Sequence, residues 1–93
     1  MSVAVRIPTV LRAQAGGQPT LSVEGSTIGE VLQAMVTAHP GLAGQVFGDD
    51  GGLHRFVNVY VNDDDVRYTG GLETPVSNGD EVSILPAVAG GAG

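Results

Sequence analysis

The sequence predicts an α+β roll, a mixed sheet packed on one main helix. Apolar residues alternate with others at Val3, Val5 and Ile7, at Leu21 and Val23, at Val57, Val59 and Val61, and at Val82 and Ile84, the period of strands with one buried face. Between the second and third of these runs, Ile28, Val31, Leu32, Met35 and Val36 fall at i, i+3, i+4, i+7 and i+8, a single helical stripe. A lone amphipathic helix buries such a stripe only against a sheet. With 93 residues there is room for one core.

Taken in order, residues 3–8 form the first strand. Residues 9–18 end in Ala15-Gly16-Gly17-Gln18, where adjacent glycines adopt positive φ cheaply and suit a chain reversal. Leu21 and Val23 then mark a second strand, able to pair antiparallel with the first as a hairpin that Gly25-Ser26 closes. Thr27-Ile28-Gly29-Glu30 reads as a capping box, in which the Thr27 hydroxyl accepts an orphan N–H and Glu30 reaches back to the cap. The helix that follows stops just after His39, at Pro40-Gly41. Gly29 costs about 1 kcal/mol relative to alanine, a cost consistent with close approach of the helix to the sheet.

The stretch 41–53 carries at most a short helix over residues 42–47 and then an exposed loop around Asp49-Asp50-Gly51-Gly52. Residues 56–62 are the clearest strand, with the valines on the buried face and Phe56, Asn58 and Tyr60 on the other. Asn62-Asp63-Asp64-Asp65 makes a turn, Val66-Arg67-Tyr68 a short edge strand, and residues 70–80 an irregular connection. Residues 81–85 are the last strand. The first and last strands both read as buried, so they lie side by side and parallel at the sheet centre, flanked by the hairpin and the valine strand. That arrangement is a β-grasp roll, with a domain over residues 1–86 and a flexible C-terminal tail over residues 87–93.

The net charge of −6 comes from ten acidic residues against four arginines, with no lysine. Its field repels phosphate backbones and anionic membranes, which argues against nucleic acid or a membrane as partner. The same field favours docking on a basic protein surface, and equally serves plain solubility. With no cysteine there is no disulfide, thiolate ligand or catalytic thiol. The N-terminus lacks the basic start and apolar stretch of a signal peptide, so a cytoplasmic location is expected.

Motifs of catalysis are missing. A phosphate-binding G-x-x-x-x-G-K-[ST] loop needs a lysine, and no Gly-x-Ser-x-Gly elbow occurs. His39 and His54 are too few for a typical zinc site, and His39 at a helix end is expected to interact with the terminal carbonyls. Asp63-Asp64-Asp65 lacks the alternate spacing of a calcium loop and reads as a solvated turn, so no metal is expected. Only the tail Ala87-Val88-Ala89-Gly90-Gly91-Ala92-Gly93 remains, and it has two readings. A Gly- and Ala-rich end frays without purpose, or its side-chain-free glycines thread a narrow channel and bring a carboxylate to bound ATP.

The run Gly79-Asp80-Glu81-Val82-Ser83-Ile84-Leu85-Pro86-Ala87-Val88-Ala89-Gly90-Gly91 resembles the ending of the ubiquitin-like sulfur carriers ThiS, MoaD and CysO. Val59-Tyr60-Val61-Asn62 before an acidic turn is similar to their middle strand, and residues 54–62 with Ala87-Val88-Ala89-Gly90-Gly91 look most like the CysO members of an actinobacterial cysteine pathway. The resemblance covers essentially the whole chain. It implies a carrier that is no enzyme and binds no cofactor. A ubiquitin-activating-like adenylating enzyme uses ATP to activate Gly91, beside Gly90, and a sulfur donor converts it to a thiocarboxylate. A sulfur-accepting synthase then takes the sulfur, for cysteine or for molybdopterin, thiamin or a thiosugar. Here Ala92 and Gly93 follow the Gly-Gly pair, so the resemblance implies their removal, by a zinc metalloprotease of the kind associated with CysO-like carriers. Leu85, Phe56, Tyr60 and Val88 are the expected partner-binding residues, although the first three equally well cover the sheet edge. Two other functions fit the same residues: a modifier conjugated through Gly91 to target lysines, and a passive ubiquitin-like interaction module.

Overall fold

The computed structural model describes residues 2–48, 51–54 and 57–86. Its strands are β1 (Ser2–Arg6), β2 (Thr20–Glu24), β3 (Val57–Val61), β4 (Asp64–Asp65) and β5 (Glu81–Pro86), and its helices α1 (Ile28–Ala38) and α2 (Ala43–Val46). They form one sheet in the order β2-β1-β5-β3-β4. As the patterning required, β1 and β5 run parallel at the centre, Val5 beside Val82, while β2 pairs antiparallel with β1, and β3 with β5. This is the β-grasp roll. Among the described residues no helix is long and apolar enough to cross a membrane.

The core lies between α1 and the inner sheet face. Val5, Val59 and Val82 are 0% exposed and Ile84 1%, and they meet the α1 stripe of Ile28, Val31, Leu32, Met35 and Val36, all buried. Each such side chain contributes about 1.5–3 kcal/mol on leaving water. The stripe is held in phase by its start: Thr27 Oγ1 accepts from the Glu30 N–H at 3.2 Å. Glu30 Oε1 accepts from the Ser26 N–H at 2.7 Å, one residue before the cap position expected for a capping box. His39 ends the helix through its backbone N–H, which donates to Met35 O at 2.9 Å. That backbone contact stands where a side-chain contact to the terminal carbonyls was expected.

Four local expectations are corrected. Residues 9–18 are more than a reversal, because Thr9–Ala15 forms a 3-10 helix that buries Leu11 and Ala15 and ends at Gly16, whose φ is 71°. The edge strand is Asp64–Asp65, whereas Val66–Tyr68 is a 3-10 turn. The Asp65 carboxylate accepts from the Arg67 N–H at 2.9 Å and so turns the chain off the ladder, burying Val66 completely. Gly29 faces the Leu72 carbonyl and not the sheet: a Cβ there would lie 3.1 Å from that oxygen. The first strand ends at Arg6 because the next pair in register, Ile7 opposite Pro19, is bonded on one side only: the Ile7 N–H donates to Pro19 O at 2.8 Å, Pro19 has no N–H to return and Pro8 follows, while the Ile7 side chain stays buried.

Candidate functional site

The arrangement that bears on function is the way β5 leaves the sheet. On the β1 side its ladder ends at the pair Arg6–Ser83, whereas on the β3 side it continues to Val57–Pro86. Beyond Ser83 the strand therefore has one neighbour. The Asn62 N–H donates to Glu81 O at 2.7 Å, so alternation along the antiparallel ladder makes Tyr60–Ser83 and Asn58–Leu85 hydrogen-bonded pairs and Val57–Pro86 a non-bonded one. Pro86, with no N–H to give, stands where none is required of it by β3.

The outer sheet face at this end is built by strand alternation. One row runs Thr20, Arg6, Ser83, Tyr60, Asp65 across the five strands, and the next carries Leu85 beside Asn58. Leu85 points away from the core as expected and is 47% exposed, while Tyr60 is half-buried on the same face. The two expected partner-binding side chains that the structure describes thus share one face, on adjacent strands. Arg6 reaches Glu81 on that face in a loose ion pair of 3.9 Å between two well-exposed side chains, a pairing that contributes little to stability. Phe56, Val88, Gly90, Gly91, Ala92 and Gly93 lie outside the described residues.

One residue at this site went unrecognised in the sequence. The Arg67 guanidinium donates from Nη1 to Asn58 Oδ1 at 2.7 Å and from Nη2 to Val57 O at 2.7 Å and His54 O at 3.2 Å. It closes the part of the β3 edge that the two-residue β4 leaves open. Its only sequence signal was that a basic residue is rare in this chain.

Little here performs chemistry unaided. Among the described residues no group of three or more His, Asp or Glu side chains is placed to hold a metal ion. His39 sits at the end of α1, and the His54 backbone is taken up by Val46 O and by the Arg67 and Val57 donors. What the geometry offers is a strand that issues from the middle of a rigid sheet beside an exposed apolar side chain, with small residues following it.

The sequence profile of the ThiS family matches residues 5–91. The chain belongs to the ThiS family. Sulfur carrier protein CysO of Mycobacterium tuberculosis is 50% identical over 93 residues, covering 98% of this chain and 100% of that one. Its crystal structure superposes with a TM-score of 0.86 over 92% of this chain and 99% of that chain. CysO of Amycolatopsis orientalis, solved in complex with BexX, gives a TM-score of 0.87 at 45% identity, over 92% of this chain and 96% of that chain. Small archaeal modifier protein 1 of Haloferax volcanii is 38% identical over 82 residues, 85% of this chain and 90% of that protein. The ThiS-family match stops at Gly91, two residues short of Gly93.

Proposed function

We propose that this ThiS-family chain is a sulfur carrier whose working end is Gly91. The observation that carries the reading is the family match running through Gly90 and Gly91, in the stretch of sequence that follows Pro86, the last residue of β5. The name of the 50%-identical mycobacterial relative supports it. In the sequence Gly91 is joined to Ala92, so the first step is hydrolysis of that peptide bond, which frees the Gly91 carboxylate. A zinc metalloprotease is the proposed agent.

A carboxylate is a poor acyl donor, because oxide is a poor leaving group. In the proposed sequence a Gly91 oxygen attacks the α-phosphorus of ATP on an adenylating partner, the bond to the β-phosphate oxygen breaks, and pyrophosphate leaves. Sulfide then attacks the acyl carbon, the acyl carbon–oxygen bond breaks, AMP departs with that oxygen, and loss of the sulfur's proton leaves a thiocarboxylate. The carrier contributes no acid or base to these steps. It contributes a terminus without side chains, which passes close to a nucleotide, and a face with Leu85 and Tyr60 that docks the partner, with Phe56 and Val88 as further contacts. The acceptor is a synthase making cysteine or another sulfur-containing metabolite, and the setting is the cytoplasm. The complex of the Amycolatopsis orientalis relative with BexX supports a carrier that works by docking on other proteins.

A second reading, a modifier joined through Gly91 to target lysines, is favoured by the name of the Haloferax volcanii relative. Both use the same activated acyl group, attacked by sulfur in one case and by an amine in the other. The deciding experiment incubates the Gly91-ending form with its adenylating enzyme, ATP and sulfide. A mass gain of about 16 Da, oxygen replaced by sulfur, supports the carrier. Absence of that gain, together with a ladder of conjugates in host lysate, supports the modifier. A phenotype unchanged by deletion of residues 90–93 removes both and leaves a passive module.

A further inference from the structure

We propose that Arg67 is a positioning residue for the tail, acting by holding the end of β3 against which β5 makes its exit; the role rests on the carrier reading above. β5 has lost β1 by Leu85 and Pro86, so among the described residues its last ladder partners are Asn58 and Val57. Those two residues are at the open edge, because β4 pairs only with Tyr60 and Val61. A strand end with a single partner and no cover frays readily. Arg67 supplies the cover from outside the sheet: Nη2 takes the Val57 carbonyl, which faces away from β5, and Nη1 takes the Asn58 side chain, on the outer face beside Leu85.

The side chain is delivered by its own turn. Asp65 accepts from the Arg67 N–H and Val66 is buried without exposure, so the backbone bearing the guanidinium is anchored by the two residues that precede it. The Nη2 bond to His54 O ties the segment entering β3 to the same group, and the Val57 N–H donates to that carbonyl as well, at 3.0 Å. A planar fork reaches three acceptors in this way, and a lysine ammonium, a single point charge on a flexible stem, does not reproduce it.

The test is hydrogen exchange by NMR on the chain ending at Gly91, wild type against Arg67→Met and Arg67→Lys, paired with ATP–pyrophosphate exchange on the adenylating enzyme. Arg67→Met is expected to speed exchange at the Asn58 and Leu85 amides by about 10-fold, the loss of charged hydrogen bonds, while Tyr60 and Ser83 keep their wild-type rates. The same variant is expected to lose about 10-fold in kcat/KM, as fewer tails point into the nucleotide site, with Arg67→Lys in between. Asn58→Ala, which removes one acceptor only, reproduces the effect in part if Arg67→Met folds poorly. Equal acceleration at all four amides, no acceleration, or faster exchange with undiminished kcat/KM overturns the positioning role and leaves the carrier reading standing. A wild-type chain that is never adenylated overturns the carrier reading, and the positioning role with it, whatever the exchange rates show.

Discussion

Asn62 and Glu81 are tied to each other twice: the Asn62 N–H donates to Glu81 O at 2.7 Å, and the Glu81 N–H donates to Asn62 Oδ1 at 3.2 Å. Asn62 accomplishes this at a φ of 56°, the left-handed region that asparagine tolerates better than most residues. The pair sets the register of β3 against β5 and hence places Pro86 opposite Val57.

Asn62→Ala removes the side-chain acceptor and sets a Cβ residue without local hydrogen bonding at positive φ. It is expected to lower stability by about 1–3 kcal/mol, and Asn62→Gly to recover about 1 kcal/mol of that by relieving the backbone. Urea unfolding of the three proteins checks the order, which inverts if the side-chain bond contributes nothing.

Gly25 stands where β2 turns into α1, and a Cβ on it would meet both the Val31 backbone nitrogen and its Cγ2 at 2.9 Å. The first turn of α1 must shift to admit it, since Val31 N–H is already bonded to Thr27 O. Gly25→Ala is expected to cost about 1–3 kcal/mol, against the small gain that removing a flexible glycine otherwise brings. Thermal unfolding measures the sign directly.

Leu85 separates docking from folding. Because it is 47% exposed and stands on the outer face of the sheet, Leu85→Ala is expected to change stability by under about 0.5 kcal/mol. Binding to the adenylating partner is expected to weaken about tenfold or more, as for an apolar anchor near an interface centre. Calorimetric titration of both forms tests this, and equal affinities would remove Leu85 from the docking face.

Processing is tested on the intact protein. Mass spectrometry of the chain from its own host is expected to find a species ending at Gly91, and a thiocarboxylate on that species alone. A chain retaining Gly93 and carrying the thiocarboxylate would refute the proposed removal of Ala92-Gly93.

Much of the fold was legible because burial in this sheet is one-sided. Val57, Val59 and Val61 alternate with Asn58 and Tyr60, and that period predicted which valines are buried and that Leu85 is not. The parallel pairing of β1 and β5 followed from two well-buried strands at the ends of the domain. The 3-10 helix over Thr9–Ala15 was hidden, since Leu11 and Ala15 are a single i, i+4 pair and give no period to detect. The edge strand was misplaced because Val66 and Tyr68 have strong strand propensity, which the Asp65 turn overrides with one hydrogen bond. The role proposed for Arg67 was invisible in the sequence because acceptors such as His54 O, Val57 O and Asn58 Oδ1 become its neighbours only after β3 and the turn have folded. Of the proposed site, the outward-facing positions of Leu85 and Tyr60 were readable from the strand period, whereas Gly90 and Gly91 were named from their resemblance to a known ending and lie outside the described residues.

With β5 held by β3 as far as Pro86 and by β1 as far as Ser83, a pull on the C-terminal end meets the β3 ladder first, whose bonds lie across the line of pull. Such bonds yield together and not one by one. On the carrier reading proposed above, a body anchored in this way would stay folded while the same molecule is loaded, emptied and loaded again.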